Sequence, residues 1–498
     1  MVQPDPALPD PKRIVGTDTP LLGMTADEFR QHGRAVIDWI ADFAEGLEDA
    51  PVQPSVAPGE IRGMLPAQAP EAPEPFGDVL ADLDRVVVPG LTNWQSPNWF
   101  AYFPTGASFP SILAELVAAG IGQQGMLWSS SPICTELEAL VLDWLVELMD
   151  LPRSFRSDGA GGGVLQMSAS DSTHTALVVA RHRAGTAGMA EAVRVSADRM
   201  VAYTSPQAHS SIEKGANVAG YGHVRKVEVD QHFAMRPDAL LRAIAEDRAA
   251  GLVPVFVCGA VGTTGTTAVD PIRAIGEIAT DEGLWFHVDA AYAGAAMICQ
   301  EFRHHQDGLE LADSYTWNPH KWLAVNFDCS VFHVADRGPL LAALSILPPY
   351  LRNEASEAGA VIDFRDWHVP LGRRPRALKL WFVLRAYGAD GLRALIREHV
   401  RLARELTARL EADDRFVVVA PTTFALVNFR SAAGDEPTRT LAQAINDTGP
   451  AYLTPSIVTG PSTDDRDVVF IRVSIGATLT TVEHVEALWR LIDELAVA

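Results

Sequence analysis

Leu284-Trp-Phe-His-Val-Asp289-Ala-Ala-Tyr292 is the stretch on which the reading of the chain turns. It is almost wholly apolar, has the length of one buried strand, and ends on a carboxylate. A charge in that position is costly to bury without a partner. Downstream, Tyr315-Thr-Trp-Asn-Pro-His-Lys-Trp322 sets Lys321 just past a second strand-like run. Between His320 and Trp322 the lysine has poor surroundings for a solvated side chain, and desolvation lowers its pKa toward the neutral amine. An amine and a carboxylate, each beyond an apolar run, suit covalent chemistry on a carbonyl group.

Outward from these two runs the pattern alternates, from about residue 109 to 336. Apolar, β-branched segments recur at Val201–Thr204, Val224–Val229, Pro254–Val261, Leu284–Val288 and Ser330–Val334. Helical stretches such as Pro237–Ala250 and Pro271–Asp281 lie between them. Such spacing predicts an α/β fold with a mostly parallel sheet covered on both faces. Ligands of these sheets bind beyond the carboxyl ends of the strands, and Asp289 falls at such an end.

Residues 1–23 read as a flexible leader. Thr25-Ala-Asp-Glu28 reads as a capping box opening an amphipathic helix. The stretch 51–75 carries seven prolines (51, 54, 58, 66, 70, 73 and 75) and is expected to be an extended connector. A lone amphipathic helix with such an arm cannot bury its own apolar face, so residues 24–108 are expected to pack on a partner subunit. A large domain over 109–390 and a small α+β domain over 391–498 complete the division. The latter is read from a helical region at 376–413, interrupted at Gly388-Ala-Asp-Gly391, followed by Phe424–Phe429, Val468–Val473 and a helix near Val482–Leu495.

With 498 residues the chain is too long for one ordinary core. Its formal net charge of −23 argues against nucleic acid or an anionic membrane as partner. Cys134, Cys258, Cys299 and Cys329 lie far apart with no CxxC pair, which fits reduced thiols in a cytoplasmic protein rather than a metal cluster or disulfide framework. No stretch approaches the ~18 apolar residues of a membrane span, and the N-terminus has no apolar signal core.

Four further segments carry chemistry. Gly161-Gly-Gly-Val-Leu-Gln-Met-Ser168-Ala-Ser170 reads as a glycine turn leading into a helix start, where free N–H groups can hold phosphate. Ser205-Pro-Gln-Ala-His209-Ser-Ser follows an expected strand. Tyr102-Phe-Pro-Thr105 and Gly125-Met-Leu-Trp128 are two further segments, and core packing is the plain reading of Met126 and Leu127 in the second. Leu347-Pro-Pro-Tyr350-Leu lies in a long irregular stretch, about 345–363, of the kind that forms active-site lids.

With Lys321 and Asp289, this set resembles the group II pyridoxal phosphate (PLP)-dependent amino acid decarboxylases, most closely the aromatic L-amino acid branch. The resemblance covers the chain from about residue 24 to its end. It implies the fold type I architecture, a homodimer, and PLP held as a Schiff base on Lys321. It implies that Asp289 pairs with the cofactor's ring nitrogen, that Ala291 and His320 contact the cofactor, and that His209 stacks on its ring. Ser168, Ala169 and Ser170 should hold the phosphate, helped by Thr263 and Asn318. Tyr102, Phe103, Thr105, Met126 and Gly372 should line the substrate pocket with His209, and Tyr350 should return a proton to the substrate's Cα. Met167 stands where the family usually has a glycine. Gln124, Met126 and Leu127 also depart from the familiar pattern.

The reaction implied is loss of CO2 from an aromatic L-amino acid to give an arylalkylamine. His320 and Trp322 speak against the histidine- and glutamate-specific branches, which tend to carry Ser and Met there. A decarboxylating aldehyde synthase is a second reading, opposed by Tyr350. A PLP-binding protein without catalysis is the reading from a different class, opposed by the intact set Lys321, Asp289, His209 and Tyr350.

Overall fold

The computed structural model describes residues 24–186, 196–346, 361–464 and 466–496. They divide into two compact units that meet in sequence between Asn93 and Trp94.

In the first unit the capping box is present. The Thr25 hydroxyl accepts the Glu28 N–H at 3.2 Å, the Glu28 carboxylate accepts the Thr25 N–H at 2.7 Å, and a helix runs over Ala26–Glu45. No residue of that helix is fully buried. The proline-rich connector is not wholly extended, since a short helix forms at Glu60–Met64 between its prolines.

The second unit is built on a seven-stranded sheet. In chain order its strands are β1 (Gly162–Gln166), β2 (Met200–Thr204), β3 (His223–Lys226), β4 (Val253–Ala260), β5 (Trp285–Asp289), β6 (Ser314–Trp317) and β7 (Ser330–Val334). In space the order is β1-β7-β6-β5-β4-β2-β3. The pairs β2/β3, β2/β4, β4/β5 and β5/β6 are parallel, while β7 runs antiparallel to both β6 and β1. Because β7 alone is reversed, β1 points the same way as β6.

Alternate residues of each strand feed different cores, as period-2 geometry requires. Phe256, Cys258 and Trp285 join Leu177, Ile212 and Leu340 on one face. Val257, Phe286 and Val288 join Ile244, Ile275 and Val383 on the other. All five strands expected from apolar runs form, and both faces are covered.

The Gly161–Gly163 segment corrects the sequence reading. Gly162 and Gly163 are the first two residues of β1 rather than part of a turn, and Gly161 leads straight into them. The segment's glycines answer close packing: a Cβ on Gly161 would fall on the carbonyl oxygens of Ser154 and Val334, and one on Gly163 would lie 2.6 Å from the His333 ring.

A second, antiparallel sheet has the order β10-β11-β9-β8, with β8 at Phe416–Val418, β9 at Leu426–Ser431, β10 at Thr454–Val458 and β11 at Val468–Ser474. The helix Ala377–Glu411 leads into it, broken at Gly388 (φ 64°, ψ 171°), a left-handed backbone that glycine adopts without strain. Buried Asp270 braces the loop after β4, its two carboxylate oxygens accepting the N–H groups of Met235 (2.7 Å) and Ala260 (2.8 Å).

Candidate active site

The carboxyl ends of five strands converge on one cavity of about 210 Å3. Beyond β1 come Ser168, Ala169 and Ser170, and beyond β2 comes His209. The end of β4 and its loop give Ala260, Gly262, Thr263 and Thr264. β5 ends on Asp289, with Ala291 and Tyr292 just past it, and past β6 are Asn318, His320 and Lys321. Phe103 and Phe327 complete the wall. Pairing of Ala260 with Asp289, and of Asp289 with Thr316, fixes these ends in register.

Lys321 follows Asn318 and Pro319, which start the short helix Pro319–Trp322 just after β6. Loss of water holds its amine below the usual lysine range, and the nearby Arg472 charge acts in the same direction against Asp289. Asp289 is 7 % exposed, and its Oδ1 accepts the Ala291 N–H at 2.9 Å.

His209 accepts the Ser211 N–H at Nδ1 (3.1 Å), so the neutral ring carries its proton on Nε2. Burial first, and then Lys321, lower its pKa. His320 is buried, its Nδ1 accepts the Cys329 N–H at 2.9 Å, and burial takes its pKa down to about 3. It is a neutral ring at physiological pH.

The helix Ala169–Thr186 starts at the cavity. Ser168 closes its first turn, with Oγ accepting the Asp171 N–H at 3.2 Å and the carbonyl accepting the Ser172 N–H at 3.1 Å. The first N–H groups of a helix have no partner within it, and they carry the positive end of the helix dipole. Thr263 is buried across the cavity, its hydroxyl accepting the Ala268 N–H at 3.0 Å. The Asn318 side-chain oxygen is buried and has no hydrogen-bond partner among the described residues.

Behind Lys321 runs an aromatic stack. Phe103 lies on Tyr292 (centroids 4.1 Å) and Tyr292 on Trp322 (4.7 Å). The Trp322 indole N–H donates to His399 Nδ1 at 2.9 Å. The Lys321 amine sits 5.2 Å from the Phe103 ring centre.

The residues expected from the sequence divide three ways. Phe103, Ser168, Ala169, Ser170, His209, Thr263, Asp289, Ala291, Asn318, His320 and Lys321 share the cavity. Tyr102, Thr105, Met126 and Gly372 do not line it. Met126 and Gly372 instead belong to a second group, in which the Met126 carbonyl accepts the Arg365 N–H at 3.0 Å. There the Gln124 side chain accepts the Arg373 N–H at 2.5 Å, beside Gly372. Tyr350 lies outside the described residues.

Phe327, Thr264 and Arg472 were not anticipated. For Arg472 a signal existed, because it is the one charged residue in the otherwise apolar run Val468-Val-Phe-Ile-Arg-Val-Ser474. A larger cleft of about 640 Å3 near Glu301 and Arg397 is ionic surface, with Arg397 and Arg401 paired to glutamates.

An amine of reduced basicity, a buried carboxylate and a helix start for an anion, all at one sheet edge, define an enzyme that works through a phosphorylated carbonyl cofactor. The buried, unsatisfied Asn318 oxygen and the open helix start are polar groups that such a molecule would satisfy. The model of the pyridoxal-dependent decarboxylase conserved domain matches residues 58–432. A phenylacetaldehyde synthase of Arabidopsis thaliana is 42% identical over 492 residues, covering 97% of this chain and 98% of that protein. The aromatic-L-amino-acid decarboxylase of Mus musculus is 42% identical over 481 residues, 95% of this chain and 98% of its own. A crystal structure of Oryza sativa TDC with PLP and tryptamine superposes with a TM-score of 0.90 at 38% identity, covering 96% of this chain and 99% of that one.

The chain belongs to the pyridoxal-dependent decarboxylase family. It has the fold type I architecture, and pyridoxal 5'-phosphate is its cofactor.

Borohydride reduction of the loaded protein, followed by peptide mapping, is expected to find the pyridoxyl group on Lys321. A label on any other lysine would remove Lys321 from the site.

Proposed function

We propose that this enzyme removes CO2 from an aromatic L-amino acid and releases the arylalkylamine, working as a homodimer. The observation that carries the reading is the joint presence of Lys321, Asp289 and His209 in one cavity with aromatic walls, Phe103, Tyr292 and Phe327. Relatives named for aromatic substrates or products, at 38–42% identity over nearly the whole chain, support the substrate class.

The bound cofactor supplies an electron sink for the pair left behind when CO2 departs. Lys321 anchors it through the neutral amine that desolvation favours. The helix start at Ser168, Ala169 and Ser170, with Thr263 and Asn318, holds its phosphate. Asp289 would keep a proton on its ring nitrogen, and Ala291, in the same cavity wall, would contact the cofactor. The neutral imidazole of His209, which lines the same cavity, would have an Nε2 proton to donate to it. His320, also neutral, adds no competing charge. Tyr350, assigned from the sequence, returns the proton to Cα.

Homodimerisation is supported by the helix Phe109–Ile121, which exposes Phe109, Leu113, Leu116, Val117 and Ile121 along one stripe. A stripe of that size is atypical of a solvent-facing surface. Sedimentation is expected to give twice the chain mass of 53.7 kDa. Leu116→Arg should shift the species toward monomer, and a wild-type monomer at micromolar concentration would refute the dimer.

A second reading is favoured by the 42% identity to phenylacetaldehyde synthase: the same loss of CO2 ending in aldehyde. Incubation with Trp, Phe, Tyr, DOPA and His, with amine, aldehyde and peroxide measured together, decides between them. Amine from one of the first four is expected. Aldehyde with peroxide would establish the second reading, and turnover of His alone would move the enzyme to another branch.

Asp289→Asn should retain the cofactor yet lose roughly 10²-fold or more in rate, since a neutral amide cannot hold the ring proton. A rate within about threefold of wild type would assign Asp289 a different role.

A further inference from the structure

Arg472 stands in β11, on the small sheet, and is only 4 % exposed. No carboxylate pairs with it among the described residues, and the Tyr292 phenol is the titratable group that acts on its charge. Burial lowers its pKa to about 10, which still leaves it charged at neutral pH. Its hydrogen bonds go to two backbone carbonyls, Gly265 (3.3 Å) and Tyr102 (3.1 Å). Its guanidinium carbon lies 5.0 Å from the Phe103 ring centre, and the Lys321 amine lies 5.2 Å from the same centre. The two cations are therefore no more than about 10 Å apart, and between partly buried charges salt screens little over that distance.

The bonds to Gly265 and Tyr102 alone do not call for a charge, because a neutral amide could make them with less desolvation. The segment they hold is unusual. Tyr102 has φ 50°, in the left-handed region, and its N–H donates to the Thr454 hydroxyl at 3.0 Å. Thr454 is the cross-strand partner of Arg472. The β10–β11 pair thus grips Tyr102 at both its N–H and its carbonyl, just before Phe103 turns toward the lysine.

We propose that Arg472 is a positioning residue for the Lys321 site: its unpaired charge keeps the Lys321 amine in the neutral form, and its planar fork fixes the backbone that presents Phe103. The proposal rests on the reading of Lys321 as the cofactor-bearing lysine. The other titratable groups facing Lys321 are Asp289 from β5, His209 from beyond β2 and His320 on its own short helix, with Tyr292 in the same wall. Asp289 favours the ammonium form, and the two histidines are held neutral. That leaves Arg472 as the fixed positive charge acting against Asp289.

The test reads the acidity of Lys321 without turnover. The full chain, dialysed free of cofactor, is reductively methylated with formaldehyde and cyanoborohydride across a pH series, and the modified fraction at Lys321 is read by peptide mass. Arg472→Gln is expected to raise the midpoint by about one pH unit, a tenfold gain in proton affinity. Arg472→Lys, which keeps the charge, should leave the midpoint near wild type. Thr454→Asp sets a carboxylate opposite Arg472 while still accepting the Tyr102 N–H. It should raise the midpoint with the arginine in place, whereas Thr454→Asn should not.

Unchanged midpoints in both Arg472→Gln and Thr454→Asp would overturn the proposal. So would equal rises in Arg472→Gln and Arg472→Lys, which would make shape rather than charge the cause. Should Arg472→Gln not fold, the two Thr454 variants decide. The pyridoxyl map tests the assignment of Lys321 separately, since the midpoint belongs to that amine whichever lysine carries the cofactor.

Discussion

Asp289 and Lys321 face one cavity from beyond the ends of adjacent parallel strands, and either group would be expensive to desolvate alone. Each moderates the other. The carboxylate draws the lysine toward its charged form, while loss of water and the Arg472 charge draw it back, and the net effect is an amine below its ordinary range. The rest of the site is compatible with that balance because it adds little further charge. His209 and His320 are neutral rings, each with Nδ1 occupied by a backbone N–H. The helix start at the cavity presents peptide dipoles rather than another lysine.

The aromatic stack extends this arrangement into the small sheet. Phe103, Tyr292 and Trp322 form a rigid partition behind Lys321, tied through the Trp322–His399 hydrogen bond to the long helix Ala377–Glu411. Arg472 and Thr454 grip the partition's other end. The surroundings of the lysine are thus set by both sheets of the second unit, although its chemistry sits at the edge of one.

Much of this was legible in the sequence because buried parallel strands are written as continuous apolar runs. Five strands, the capping box and the helix break at Gly388 follow from short local patterns, while the grouping of Lys321, Asp289, His209 and Ser170 was what the family resemblance implied. What escaped was set by distant packing. The Gly161–Gly163 run has the letters of a phosphate turn, yet its glycines answer to Ser154, Val334 and His333, which no local rule can see. Arg472 joins the site only because the small sheet folds back on Tyr102, so the charge in an apolar strand had no reading until the two came together. Gln124 meets Arg373 beside Gly372, and the Met126 carbonyl meets Arg365, also contacts between remote segments.

The reversed strand β7 has a consequence for the order of assembly. β1 pairs with β7 alone among the described strands, and the chain between them includes β2 through β6. The strand that leads into the helix start is therefore hydrogen-bonded to the sheet through the last of the seven strands to leave the ribosome, although the helix itself also packs on β4 and β5. Contacts so distant in sequence carry a loop-closure cost and form late. A nascent chain can bring Asp289 beside β4 and β6 before it can complete the β1 edge of the sheet from which Ser168 and Ser170 enter the cavity. Capture of the cofactor would accordingly serve as a reporter that the final β1–β7 pairing is complete.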